Sequence, residues 1–83
     1  MPISRQLMYW LIASSDGGLN RAKLIFILKH NPMNMHQLAE KTGLHYTTVQ
    51  HHVELLVKHG FLVSTGNYAK AYFLSQDLED AFN

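Results

Sequence analysis

The sequence predicts a mostly α-helical protein with a small β-hairpin, that is, a fold of the α+β class. Apolar residues recur at helical spacing in several segments of the 83-residue chain. A glycine at position 43 separates two short amphipathic segments, 35–42 and 45–59. Two runs rich in aromatic and β-branched residues, 61–65 and 70–74, follow at once and are separated by a Gly-Asn turn. These observations predict two helices joined by a turn and followed by a hairpin.

Length and composition favour one domain, 1–83, in which 47% of the residues are hydrophobic. A monomer of this size buries only about 60% of its unfolded surface, so a partner subunit could add stability. The chain has no cysteine, which excludes disulfides and thiolate metal sites and suits a reducing cytoplasm. The apolar run 7–13 is far shorter than the roughly 20 residues of a membrane helix. We therefore predict a cytoplasmic protein with no membrane partner.

The N-terminal segment predicts two helices. Apolar residues in 3–15 occupy more than one helical face, which indicates burial on two sides. The turn-forming cluster 14–18 ends this N-terminal helix. Asn20 is a good N-cap for a second helix, 20–30, which should end before Pro32 because residues that precede proline avoid the helical region.

The central segment predicts a helix-turn-helix. Residues 33–35 form a first small strand or its remnant, and helix 35–42 ends at Gly43 in the left-handed conformation. The second helix, 45–59, begins at His45 and ends at Gly60. Its inner face is formed by Val49, Val53 and Leu56, with His52 at the edge.

The remaining elements complete a winged helix-turn-helix. The hairpin 61–74 is a short wing whose tip contains Gly66 and Asn67. Ser75 is the predicted N-cap of a C-terminal helix, 75–82. The fold is thus a winged helix-turn-helix with extra N-terminal and C-terminal helices.

Charge is unevenly distributed along the chain, although the net charge is only +1. Residues 17–74 contain six basic and two acidic residues, a net charge of +4, whereas residues 75–83 carry a net charge of −3. A basic middle and an acidic end are compatible with DNA on one face and a second surface directed away from it.

The run GLHYTTVQHHVELLVKHGFLV, residues 43–63, resembles the second half of the helix-turn-helix in ArsR-type and MarR-type winged-helix transcriptional regulators. The matching positions are Leu44, His45, Val49, His51, His52, Val53, Leu56, Gly60 and Val63. The similarity extends to residues 20–24 and to the wing end, 72–75. The resemblance implies double-stranded DNA as partner. ArsR-type metal sensors commonly carry a cysteine pair, and this chain departs from that pattern.

A recognition helix presents its N-terminal outward side chains to base edges. We predict base contacts from Gln50, which can pair bidentately with adenine, and from His51, while Tyr46 or Thr47 contacts phosphate or a thymine methyl. Glu54, one turn later, is interpreted as solvated helix surface. The predicted DNA-backbone and wing contacts are Lys41, His45, Thr48, Lys58, Asn67, Tyr68 and Lys70.

The terminal helices carry apolar surface that a small core cannot absorb, which predicts a homodimer. The predicted interface residues are Ile3, Leu7, Trp10, Leu11, Leu78 and Phe82. Two recognition helices about 34 Å apart would then read a pseudo-palindromic operator. Tyr9 is interpreted as a packing or dimer residue rather than part of a ligand pocket.

Two other interpretations stay open at this stage. The first is a winged-helix protein-interaction or assembly module without sequence-specific DNA binding. The second is a pH-responsive regulator, because six histidines would add positive charge below about pH 6.5. No catalytic residue, cofactor or metal ligand set is predicted. No phosphate-binding glycine loop or suitable carboxylate pair is evident, and no two of His45, His51, His52 and His59 are three or four residues apart.

Overall fold

The computed structural model describes residues 3–14, 16–66 and 70–82. Its elements in chain order are α1 (Arg5–Met8), a π-helix (Tyr9–Ser14), α2 (Gly18–His30), α3 (Met35–Thr42), α4 (Tyr46–Lys58), β1 (Leu62–Ser64), β2 (Tyr72–Leu74) and α5 (Gln76–Ala81). This mostly helical arrangement with one small hairpin confirms the predicted α+β winged helix.

The N-terminal segment differs from the continuous α-helix expected over 3–15. Ser4 caps α1 by accepting a hydrogen bond from the Leu7 amide at 3.0 Å, and the chain then widens into the π-helix. A π-helix is rare in proteins. Here the Leu11 carbonyl accepts a hydrogen bond from the Arg21 side chain of α2, a contact that helical spacing does not reveal.

Helix α2 begins two residues before the predicted start. Gly17 is the N-cap with φ +81°, and Asn20 lies inside the first turn, so its assignment as N-cap was wrong. Helix α2 starts earlier because Gly17 and Gly18 pack closely on neighbouring elements. A Cβ on Gly18 would lie 2.5 Å from the Ile12 carbonyl oxygen, and a Cβ on Gly17 would lie 2.5 Å from His52 Cε1. Glycine at both positions lets α2 approach the π-helix and α4.

The helix-turn-helix has the predicted turn. Helix α3 starts with a capping box in which Asn34 Oδ1 accepts from the Gln37 amide at 2.8 Å and Gln37 Oε1 accepts from the Asn34 amide at 2.9 Å. It ends at Gly43 with φ +75°, as predicted. His45 is the N-cap position of α4 but makes no side-chain capping bond.

The wing is an antiparallel pair in which Leu62, Val63 and Ser64 face Leu74, Phe73 and Tyr72, respectively. A single antiparallel bridge between Met33 and Tyr72 is the remnant of the predicted first strand. At the predicted tip Gly66 has φ +69°, whereas the rest of the predicted turn, residues 67–69, lies outside the described residues. Ser75 caps α5 as predicted, because its Oγ accepts from the Leu78 amide at 3.1 Å.

The core lies between α2, α3, α4 and the wing, and α4 contributes the predicted inner face of Val49, His52, Val53 and Leu56. The other fully buried large side chains are Leu11, Leu24, Leu38, Phe61, Leu62 and Leu78. Within the described residues, none of the helices has the length and apolar character required to cross a membrane.

Candidate nucleic-acid interface

The outer face of α4 is the surface that the fold presents for recognition. Because Val49 and Val53 face the core, Thr47, His51 and Glu54 are exposed on the opposite side. Tyr46 is also exposed, and Gln50 is half-buried at the edge. The predicted base-contacting residues therefore lie on the accessible side of the helix.

A polar groove of about 480 Å³ lies beside this face, between α4, the start of α3 and the wing. Its lining residues are Asn34, Met35, His36, Tyr46, Gln50, Glu54, Lys70 and Tyr72. The structure thus brings together three predicted residues, namely Tyr46 and Gln50 of α4 and Lys70 of the wing. Amide, phenol and ammonium groups converge on one concave surface, which suits base edges and phosphates.

Three polar members of this groove, Asn34, His36 and Tyr72, were not predicted as site residues, and a fourth, Glu54, was interpreted as solvated helix surface. Glu54 follows Tyr46 and Gln50 at intervals of four residues, so its position on the same helical stripe was readable from the spacing. Asn34 belongs to the capping box of α3, for which Asn34 and Gln37 give a visible sequence signal. His36 and Tyr72 enter the groove through the packing of α3 on the wing, for which the sequence gives no local signal.

Tyr72 forms a fixed wall of the groove. Its backbone amide donates to the Met33 carbonyl at 2.8 Å and its carbonyl accepts from the Met33 amide at 3.3 Å. Burial raises the pKa of the Tyr72 phenol, and Tyr46 and Glu54 raise that pKa further. The phenol therefore keeps its proton at neutral pH and can donate a hydrogen bond.

The remaining predicted DNA contacts are dispersed. Lys58 and Lys70 line a second depression together with Glu54. His45 is exposed and Thr48 is half-buried at the start of α4. Asn67 and Tyr68 lie outside the described residues. Lys41 does not join this surface and lines a separate groove against α2.

Behind the recognition face, Arg21 and His52 form a buried polar pair. Arg21 donates from Nη1 to His52 Nδ1 at 3.3 Å, from Nη2 to the Asp16 carbonyl at 3.2 Å and from Nε to the Leu11 carbonyl. Since a guanidinium only donates, His52 Nδ1 must accept, which places the imidazole proton on Nε2. The pair joins α4 to α2, to the turn before α2 and to the π-helix.

The protonation state of His52 follows from this environment. Burial lowers the pKa of His52 below its usual 6.5, and the charges of Arg21 and His51 lower that pKa further. His52 is therefore neutral at pH 7, and His51 remains exposed on the outer face. This confirms the division of the His51-His52 pair into one outward and one structural residue.

The predicted dimer residues fall into three groups by their exposure. Leu11 and Leu78 have no exposed surface in the single chain, so both are core residues and their assignment to an interface is corrected here. Trp10 is 51% exposed and Phe82 is 46% exposed. Ile3 and Leu7 are half-buried and line one depression together with Asp77 at the start of α5.

Tyr9 adds to this N-terminal surface because 65% of it is exposed. Trp10 contacts His59 edge-on with ring centroids 6.1 Å apart, which links the N-terminal surface to the end of α4. Within 3–14, 16–66 and 70–82, no group of three or more acidic or histidine side chains is arranged to hold a metal ion.

These features define a winged-helix protein of the DNA-binding class. The family model for the bacterial regulatory protein, arsR family, matches residues 20–64, which is more than half of the chain. The chain therefore belongs to the ArsR family of transcriptional regulators, a family of non-enzymatic DNA-binding proteins.

A solved structure has the same fold. The ST1889 protein from the thermoacidophilic archaeon Sulfolobus tokodaii matches with a TM-score of 0.62 and 23% sequence identity, over 83% of this chain and 68% of that chain. At this identity the similarity shows the fold alone. No curated protein sequence matches the chain.

Proposed function

We propose that this protein is a homodimeric, sequence-specific regulator of transcription that binds a pseudo-palindromic double-stranded DNA operator in a prokaryotic cytoplasm. The observation that carries the proposal is the groove in which Gln50 of the recognition helix lies beside Lys70 of the wing. Membership in the ArsR family supports DNA as the partner.

In this proposal, side chains of the recognition helix contact the bases, and lysines near the wing contact the DNA backbone. Gln50 reaches adenine N6 and N7, Glu54 can accept a hydrogen bond from cytosine N4, and Thr47 can contact a thymine methyl. Lys58 and Lys70 contact phosphates on the side of the wing. The exposed His51 on the same face adds a further donor or acceptor to a base edge.

The dimer is proposed to form through an N-terminal surface of the exposed Tyr9 and Trp10 and the half-buried Ile3 and Leu7, together with the exposed Phe82. Exposed aromatic side chains in one segment are typical of protein interfaces, where they supply much of the binding energy. A two-fold axis near this segment would place two recognition helices on successive turns of one face of the duplex.

Selection from a randomised duplex pool at low salt tests the proposal directly. We expect enrichment of an inverted repeat whose half-sites are about one helical turn apart. If each half makes three or four phosphate contacts, log affinity should fall with log salt at a slope of about −5 to −7. Retention without enrichment, lost by about 100 mM salt, would contradict sequence-specific regulation.

A further inference from the structure

Helix α2 exposes a second apolar face, away from the recognition groove. Leu19 is 70% exposed and Phe26 is 66% exposed, and the two residues are seven positions apart, which places them on one side of the helix. Ala22 lies between them on the same side. A surface helix normally presents polar residues to solvent. Helix α2 instead carries apolar residues on its solvent side as well as on the side that packs in the core.

The exposed face continues into a groove between α2 and α3, here called the α2–α3 groove. Its volume is about 540 Å³ and its lining is mainly apolar. The lining residues are Ala22, Lys23, Phe26, Ile27, Lys41 and Thr42. None of these residues lines the recognition groove, so the two grooves are separate surfaces.

Phe26 is held in place although it is exposed. Its ring packs against the His30 ring with centroids 4.8 Å apart, and His30 Nδ1 lies 2.9 Å from the Phe26 carbonyl oxygen. An aromatic side chain that is already ordered loses little conformational freedom when a partner covers it, which favours its use as a binding anchor.

The charge of the groove identifies the complementary chemistry. Lys23 of α2 and Lys41 of α3 both line the groove, and its lining includes no acidic residue. Neither lysine forms an ion pair within the described part of the chain. Lys29, in contrast, lies 3.7 Å from Glu79 and 5.0 Å from the Phe82 ring centroid.

We propose that the α2–α3 groove docks an acidic amphipathic helix of a partner protein. Apolar side chains of that helix would cover Phe26 and Leu19, and its flanking carboxylates would pair with Lys23 and Lys41. A groove between two helices suits a third helix with apolar anchors at i, i+4 and i+7. Carboxylates on both flanks would match the two lysines.

Other occupants fit less well. DNA phosphates would neutralise the lysines but leave Leu19 and Phe26 in water. In a second copy of this chain, the acidic candidate would be α5, where Glu79 is already paired with Lys29 and Asp80 Oδ1 accepts from the side-chain Nε2 of Gln76 at 2.8 Å. The proposed partner is therefore a different protein, bound at a groove that shares no lining residue with the recognition groove.

The test uses the full chain and two synthetic helical peptides. Both carry leucines at i, i+4 and i+7, and they differ only in having glutamates or lysines on the flanks. Isothermal titration should show tighter binding of the acidic peptide, and its amide shift changes should centre on the six groove residues. Phe26→Ser should weaken this binding roughly tenfold to a hundredfold.

Charge reversal supplies the specific control. A Lys23→Glu, Lys41→Glu double variant should reject the acidic peptide and accept the basic one. Lys70→Glu and Val63→Ser make matched changes on the wing and should leave peptide binding unchanged. All the substituted residues are exposed, so a thermal melt of each variant should match that of the parent chain and exclude unfolding as the cause.

Three results would overturn the proposal. The first is equal affinity for the two peptides, or binding that Phe26→Ser does not weaken. The second is a loss of DNA affinity in Lys41→Glu without any peptide binding, which would assign the groove to the DNA backbone. The third is dissociation of the dimer by Phe26→Ser, which would assign the face to a second copy. Operator selection by the unmodified chain is scored separately, so failure here leaves the DNA-binding proposal intact.

Discussion

At the scale of single residues, substitutions of Gln50 and Lys58 should distinguish base-specific contacts from contacts that strengthen binding to any DNA sequence. Gln50→Ala is expected to cost about 1–3 kcal/mol on the preferred site and to relax the preference at one base position, because its paired bonds to adenine are lost. Lys58→Ala should weaken all sequences alike and reduce the salt slope by about one. Competition binding on matched and mutated operators measures both effects, and equal losses on every sequence for both variants would remove Gln50 from the base-reading role.

Substitution of Gly17, with Gly43 as the control, tests how closely the start of α2 packs on the recognition helix. Both have positive φ, +81° and +75°, so alanine at either position costs about 1–2 kcal/mol of backbone strain. A Cβ at Gly43 meets nothing within 4 Å, whereas at Gly17 it would lie 2.5 Å from His52 Cε1. Gly17→Ala should therefore lower the free energy of unfolding by about 1–3 kcal/mol more than Gly43→Ala does. Urea denaturation measures the difference, and equal losses would disprove the close packing on His52.

His52 should make the stability of the protein depend on pH. Burial and the nearby Arg21 charge lower its pKa in the folded chain, whereas the unfolded chain keeps a pKa near 6.5. The unfolded state therefore binds the proton first as pH falls. The stabilisation from neutral His52 is complete above about pH 6.5 and is lost as pH falls from there through the lowered pKa.

The measurement is the free energy of unfolding between pH 8 and pH 5 for the parent chain and two variants. His52→Gln keeps an acceptor for Arg21 but cannot titrate, so its pH dependence should be flatter than that of the parent. His51→Gln, on the exposed face, should keep the steeper dependence. Parallel curves for the parent and His52→Gln would show that other groups govern acid stability.

At the scale of elements, Arg21 connects the N-terminal segment to the recognition helix. Arg21→Met should leave the buried Leu11 carbonyl without this donor, at a cost of about 1–3 kcal/mol. We expect hydrogen exchange to accelerate first in α1 and the π-helix, since the bonds to Leu11 and Asp16 link this part of the chain to α2. Arg5→Met, at an exposed position of α1, is the matched control and should leave the hydrogen-exchange rates of α1 and the π-helix unchanged. Uniform acceleration along the chain would mean that Arg21 stabilises the whole fold without this local role.

The elements that sequence analysis predicted well are those specified by local chemistry. Helices α3 and α4 have clear apolar stripes, Gly43 supplies the turn, and Ser75 supplies the cap of α5. The π-helix and the start of α2 depend instead on contacts between distant residues. Arg21 bonds to Leu11, and Gly17 packs on His52, 35 positions away in the sequence. Neither contact leaves a local pattern, so Asn20 was mistaken for the cap.

The candidate site was predictable to the extent that it lies on one helix. Tyr46, Gln50 and His51 follow from the orientation of α4 once its inner face is known. His36 and Tyr72 depend on how α3 and the wing pack around α4, and Lys41 depends on how α3 packs on α2. Exposure is likewise a tertiary property. Leu11 and Leu78 are apolar residues of the terminal segments, as expected of interface residues, yet both are buried in the core of the single chain.

At the scale of the whole molecule, three surfaces of one small chain have different chemistry. The recognition groove is polar, the α2–α3 groove is apolar with two lysines, and the N-terminal surface is aromatic. Trp10 contacts His59 at the end of α4, and Arg21 joins the π-helix to His52 inside α4. The position of the recognition helix is therefore tied to the segment proposed to form the dimer, so dimerisation and operator spacing should be coupled.

This coupling predicts a joint change in oligomeric state and DNA binding. Tyr9→Ser with Trp10→Ser should shift the chain from dimer to monomer in sedimentation, because each aromatic ring contributes a large apolar area to the proposed interface. The monomer contacts one half-site, so the salt slope should fall to about half, near −3, and affinity for the full inverted repeat should approach that for a single half-site. Phe26→Ser removes an equally exposed aromatic ring from α2 and should leave both quantities unchanged. A double variant that remains dimeric with an unchanged slope would place the subunit interface elsewhere, whereas a parent chain that is already monomeric and binds only half-sites would remove the dimer from the mechanism.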